Sequence, residues 1–450
     1  MTETVTDPVG NPAAEPAVGP AAEPINWPPA PRRVPKSVQG AMYALQRRRV
    51  VNRLTARFGG AFSLNVPLWG RMVVVTDPAL AKQVFAADPE VLGNIQPNLS
   101  RMFGPGSIFA LDGAEHRARR KLLTPPFHGK AMHRYEAIVE EETRRELACW
   151  PENTEFQTLE PMMRITLNII LRAIFGAGGA ELEGLRRGIP PWVTLGSRLV
   201  VLPSPRRDFG PWRRLRQYRE EYDALVGTLI DRAIADPDLD DRTDVLSVLV
   251  RSRYEDGTAM SRSDIADELL TLLAAGHETT ASTLAWAFER ISRHPEVLAR
   301  LVAEADTDDN EYRQAVIYEV QRNRTVIDFA ARNVNAPVFE LGDYRIPRGA
   351  SVSVSLAQMH WNATAFPEPQ RFDPQRFLGQ RPSVSFWMPF GGGTRRCVGA
   401  AFANMEMDVV LRTVLRSVRI DTTDRPAEKI HNRGVAFTPR DGGRVTVHRL

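Results

Sequence analysis

Cysteine is the scarcest residue type in the chain, with two in 450 residues, Cys149 and Cys397. Two cannot build a disulfide framework for this size, so a reducing interior is expected. No CxxCH occurs, which excludes a haem attached through thioether bonds. No run of 18 apolar residues occurs either, so no transmembrane helix is expected. Charge of neither sign dominates: 58 Lys and Arg stand against 54 Asp and Glu. The surplus is too small to call for nucleic acid. Residues 1–36 are rich in Pro and Ala, carry four acids and lack the apolar core of a signal peptide. They read as an extended tail, and residues 37–450 as a single domain. A cytoplasmic location is expected, with loose membrane association left open.

What is present gathers around Phe390 to Glu406, FGGGTRRCVGAAFANME. Cys397 ends a glycine-rich loop and precedes a helix-forming run, Val398 to Leu415. A sulfur at that place meets unpaired backbone N–H groups and the positive end of the helix dipole, which favours thiolate. Gly391, Gly392 and Gly393 allow a tight turn and close approach to a large flat ligand. Gly399 removes bulk beside it, and Arg395 offers a fixed cation to an acidic group. A thiolate aimed at something flat and anionic fits iron porphyrin, for which Cys is a known axial ligand. A buried structural cysteine beside a glycine turn is the plainer reading.

Phe390, Gly393, Arg395, Cys397 and Gly399 resemble, at every fixed position, the FxxGxRxCxG signature of the cytochrome P-450 family of haem-thiolate monooxygenases. The resemblance makes Cys397 the metal ligand of a non-covalently held haem b, and Phe390, Arg395 and Gly399 part of its cradle. It implies a mainly α fold with a smaller β region, the family's triangular helical prism around a long central helix.

Further stretches carry it. Arg262 to Arg293 reads as a helix too apolar all round for a surface, so it is expected to cross the core. Ser261 and Asp264 resemble a capping box at its start. In its middle stands AAGHETT, Ala274 to Thr280, a polar cluster that is costly to bury without a purpose. Thr279 can bond back to a carbonyl and open the helix. Ala275 to Thr280 resemble the family's oxygen-binding motif, which implies that Ala275 lies against the cofactor and that Glu278 and Thr279 deliver protons. A zinc HExxH reading of His277 and Glu278 fails, because Ala281 stands where the second His is needed.

Glu319 and Arg322 form an ExxR pair on one helix face, a common spacing by itself. Its place between the long helix and the cysteine loop is that of the family, whose supporting arginine is matched by Arg376. A buried triad holding the loop is expected. Thr325 replaces a proline often found there, which leaves the next turn open. His116 and Arg120 share a helix face. They suit two haem propionates, and the family has this pattern, but the spacing also fits a solvated basic face. Arg117, Arg119 and Lys121 are expected to form a basic patch able to dock an acidic electron donor. Arg332 matches another propionate-binding arginine. Leu272, Val326, Ile327, Phe329 and Phe437 fall where the family lines its substrate pocket.

The arginine run 206–219, interleaved with Phe209 and Trp212, falls at the family's lid and reads as a solvated helix face. Cys149 reads as structural. The β-rich parts are expected as hairpins at Ala61 to Val75 and at Val338 to Ser355, the second turning at Pro347-Arg348-Gly349, with further strands from Val418 to Arg449. The reaction implied is insertion of one oxygen atom from O2 into a lipophilic small molecule. No flavin or iron–sulfur segment accompanies the haem region, so a separate ferredoxin and its reductase are expected, with a monomeric enzyme. Two other readings are a haem-thiolate isomerase or dehydratase, which an intact Glu278-Thr279 disfavours, and a haem-based binding protein without turnover.

Overall fold

The computed structural model describes residues 24–31, 33–66, 70–95, 98–129, 131–176, 179–200, 202, 205 and 207–450. Its axis is the helix Arg262–Ile291, about 45 Å long at about 1.5 Å per residue. Leu269, Leu270, Leu273, Leu284, Trp286 and Phe288 are all buried although they cover several helix faces. No single neighbour satisfies such a helix, and it is packed on several sides. Leu159–Phe175 lies along it, with Thr166 Oγ1 donating to the His277 carbonyl at 3.0 Å. The capping box is half made. The Asp264 N–H donates to Ser261 Oγ at 3.0 Å, while the Asp264 carboxylate pairs with Arg119 at 3.4 Å.

Helices dominate the rest. Lys36–Phe58, Gly113–Leu123, Ala131–Leu147, Ala180–Leu199, Gly210–Ile234, Glu311–Asn323 and Ala400–Ser417 fall where the sequence periodicity predicts helices. The main sheet has five strands in the order Ala61–Val66, Gly70–Val75, Ser351–Ser355, Phe329–Val334 and Leu92–Gly93. Gly70–Val75 runs parallel to Ser351–Ser355, and the other pairings are antiparallel. Val73, Val75, Val352 and Val354 form its core face.

Three expectations need correction. The second hairpin is Val338–Leu341 with Tyr344–Pro347, turning at Gly342. Pro347-Arg348-Gly349 is therefore not the hairpin turn but the crossing into the main sheet, where Ser351–Ser355 finds two partners. Period-two alternation does not distinguish the partners. Cys149 is exposed at the end of its helix, its Sγ 3.9 Å from the Arg145 carbonyl, so it has no packing role. Within the expected tail, residues 24–31 lie against the sheet: the Ser63 N–H donates to the Pro29 carbonyl at 2.7 Å, and Arg71 stacks on Trp27 at 3.8 Å. Pro203, Ser204 and Arg206 of the expected lid, and Trp69 of the first hairpin turn, lie outside the described residues.

Candidate active site

The cysteine loop is closed by its own backbone. The Cys397 N–H donates to the Phe390 carbonyl at 2.9 Å. Between them Gly393 has φ +68° and a Cβ there would stand 2.1 Å from the Phe85 carbonyl oxygen, so only glycine fits. The following helix begins at Ala400, with Gly399 as its N-cap. A Cβ on Gly399 would meet no protein atom within 4 Å. Cys397 is accessible to solvent, yet burial is the largest influence on its thiol and pushes its pKa up. The Gly399 N–H, Arg396 and Arg120 pull the other way without prevailing. Desolvation and the helix end thus act on the sulfur in opposite directions.

Four basic side chains converge beside this loop. His116 is 2% exposed, and its Nδ1 has no hydrogen-bond partner among the described residues. Burial, then Arg395 and Arg120, push its pKa down to about 4. Arg332 is lowered to about 10 by burial and then by Arg395. The acid within this group is Asp112, which binds Arg395 at 2.5 Å and also accepts from the Asn94 N–H. The cluster is under-neutralised, and a ligand with carboxylates would relieve it. Arg119 is not part of any surface patch. It is 4% exposed and bonds Glu268 at 2.8 Å. Lys121 is exposed and pairs with Glu255 at 2.6 Å.

One face of the long helix opens in an otherwise buried run. Ala275 is exposed and Leu272, Gly276 and Thr279 are half-buried, at helical spacing. Thr279 Oγ1 donates to the Ala275 carbonyl at 2.8 Å, and Thr283 Oγ1 to the Thr279 carbonyl at 3.0 Å. Such back-bonding loosens a helix locally. A Cβ on Gly276 would come within 3.4 Å of Ile170, so that glycine serves helix packing at least as much as ligand approach. Glu278 does not bond Thr279. It accepts from Ser197 Oγ at 3.2 Å and lies 3.5 Å from Arg433. Burial raises its pKa against these partners.

Behind the loop, Arg322 donates to both oxygens of Glu319 at 2.7 Å, and neither side chain is exposed. Arg322 also binds the carbonyls of His360, Pro369 and Arg371. Arg376 completes the triad more loosely, 3.8 Å from Glu319. Thr325, the departure from proline, has a job. The Met388 N–H donates to His360 Nε2 at 2.9 Å, so Nδ1 carries the ring hydrogen and donates to Thr325 Oγ1 at 2.7 Å. Thr325 Oγ1 in turn donates to the Arg322 carbonyl at 3.1 Å. This relay ties the ExxR helix to the segment entering the cysteine loop. Burial and Arg322 hold the His360 pKa down at about 3, so it stays neutral. His360→Ala leaves the Met388 N–H unpaired and is expected to cost about 1–3 kcal/mol. Denaturant unfolding measures it, and an unchanged midpoint would remove the relay from the account.

Of the pocket residues, Val326 is buried in the main core, and Leu272 and Ile327 pack against that core. The Phe437 N–H donates to the Val326 carbonyl at 2.9 Å, and Trp286 Nε1 to the Phe437 carbonyl at 3.0 Å. Phe329 is joined to Phe437 through Arg47, whose guanidinium lies 4.5 Å from the Phe329 ring and 5.7 Å from the Phe437 ring.

The cytochrome P450 family profile matches residues 28–446. The chain belongs to the cytochrome P450 family. Proteins named cytochrome P450 138, from Mycobacterium bovis and Mycobacterium tuberculosis, are 63% identical to it, across 94% of this chain and 97% of theirs. Cytochrome P450 135B1 of Mycobacterium tuberculosis is 40% identical, across 93% of this chain and 91% of its own. A solved structure, retinoic acid bound cyanobacterial CYP120A1, has a TM-score of 0.83 at 21% identity and covers 95% of this chain and 100% of its own. That likeness shows the fold, a mainly α P450 fold with small sheets. The family is one of cysteine-ligated haem monooxygenases, which take O2, a redox partner and a lipophilic substrate. Among the described residues no helix is long and apolar enough to cross a membrane.

The residues present fit a P450 haem. An under-neutralised cation cluster, a partnerless His116 Nδ1 and an open place beside Gly399 all lie around Cys397. Sequence reasoning missed Arg47 and Arg48, which stack on the rings of Phe329 and Phe437. Their meeting with Phe437 spans most of the chain.

Proposed function

We propose that the protein inserts one oxygen atom from O2 into a lipophilic small molecule, with Cys397 as the residue that would ligate a non-covalently held haem b. The observation that carries it is the Cys397 loop, closed on Phe390, with four basic side chains beside it and one acid to balance them. Thiolate-ligated iron, once bound, supplies reduction of O2 and cleavage of its O–O bond. Cys397 would hold the iron through its sulfur, and the Gly399 N–H, Arg396 and Arg120 favour its charged form there. His116, Arg120, Arg332 and Arg395 would hold the propionates, and Phe390, Ala275 and Gly399 would cradle the ring. Leu272, Val326, Ile327, Phe329 and Phe437 hold the substrate. The electrons come from a ferredoxin and its reductase, and the enzyme is a cytoplasmic monomer. Retinoic acid in the cyanobacterial structure is itself a lipophilic molecule.

Proton delivery falls to Glu278 and Thr279. Burial shifts Glu278 toward its protonated form, against the pull of Arg433 and Ser197. Thr279 Oγ1 holds its proton toward Ala275 and can redirect it into the open face. Thr279→Ala is expected to keep haem and substrate affinity while roughly tenfold less reductant ends in product, the rest appearing as hydrogen peroxide, within the range of general acid–base effects. Reductant, product and peroxide are counted in one assay. Unchanged coupling would take Thr279 out of proton delivery.

A further inference from the structure

Arg47 and Arg48 line a cavity of about 130 Å³ with Tyr43, Asp328, Phe329 and Ser353. It lies outside the cysteine loop and the cation cluster. Arg47 is 10% exposed in its side chain and binds Asp328 at 2.6 Å. Arg48 donates to the Thr325 carbonyl at 2.6 Å and stands 3.9 Å from the same Asp328. Two guanidiniums therefore share one carboxylate. Both Nε atoms are buried and have no hydrogen-bond partner among the described residues. Donors of this kind are costly to strand and are strongest toward a carboxylate. Burial lowers the Arg48 pKa, Asp328 works against that shift, and the neighbouring Arg47 adds to it.

The apolar side of the site is at hand. Arg47 stacks on Phe329 at 4.5 Å, and Arg48 on Phe437 at 4.8 Å. Those are two of the rings proposed above as substrate walls. A guanidinium over an aromatic ring can still take a carboxylate through its remaining N–H groups. We propose that the substrate is a lipophilic carboxylic acid whose tail packs on Phe329 and Phe437 and whose carboxylate is bound by Arg47 and Arg48, in competition with Asp328. The proposal rests on the monooxygenase reading and adds the chemical class of its substrate.

The test is calorimetric titration of the purified holoenzyme with lauric, palmitic and retinoic acids, each beside its primary alcohol. At least one acid is expected to bind about tenfold or more tighter than its alcohol, as loss of a charge-assisted bond would give. Arg48→Gln is expected to erase that preference and leave alcohol affinity within about threefold. Asp328→Asn removes the competitor and is expected to tighten the acid alone, which keeps a test in hand if Arg48→Gln does not fold. Equal binding of acid and alcohol, no binding of any acid, or equal weakening of both by Arg48→Gln overturns the site. Failure of the haem reading shows separately, as a missing thiolate band with carbon monoxide in the same preparation.

Discussion

Cys397→Ser protein is expected to lose the strongly red-shifted carbon monoxide band of a thiolate-ligated haem and to lose turnover with it. A serine hydroxyl is nearly isosteric, so the loop closed by the Cys397 N–H and the Phe390 carbonyl survives the change. What goes is the sulfur's electron donation, which favours O–O cleavage. A loss of at least a thousandfold, about 4 kcal/mol in the barrier, is expected. Cys149→Ser is the matched control, since Cys149 is exposed and touches little beyond the Arg145 carbonyl. Its spectrum is expected to be that of the parent. An unaltered band in Cys397→Ser would refute the ligand assignment, and a lost band in both variants would refute the control.

The features that could be read from the sequence were those that local geometry dictates. Gly393 needs a positive φ and a neighbour at bare-backbone distance, so the loop announces itself. The long helix is apolar on every side, and only a core position tolerates that. Glu319 and Arg322 meet because three residues is one helix face. What escaped depends on distant partners. Nothing near Arg119 in sequence tells that Glu268 and Asp264 draw it inward, out of the expected surface patch. His116 and Arg120 admitted a solvated face, and what decides against it is burial beside Arg395, far along the chain. The Cys397 thiol shows the same limit. The helix end is visible in sequence and the desolvation is not, and the larger influence was the invisible one. Phe437 and Arg48 meet only after the chain has crossed the whole fold.

Glu319→Gln is expected to be the most destabilising substitution in the molecule's polar interior. The carboxylate it removes accepts twice from Arg322 at 2.7 Å and once from the Asp373 N–H at 2.8 Å. Both side chains are wholly buried, so the variant leaves a guanidinium without its counter-charge, at a cost of about 3–5 kcal/mol. The damage does not stay local. Arg322 pins the His360, Pro369 and Arg371 carbonyls, and through Thr325 and His360 the same helix holds the Met388 N–H ahead of the cysteine loop. Haem content is therefore expected to fall together with the unfolding midpoint. Arg376→Ala separates the two arginines of the triad. Its contact with Glu319 is 3.8 Å and its side chain 12% exposed, so a loss nearer 1 kcal/mol is expected, with haem retained. Equal losses from Glu319→Gln and Arg376→Ala would mean that the triad acts as one unit. Full haem occupancy in Glu319→Gln would mean that the loop stands without it.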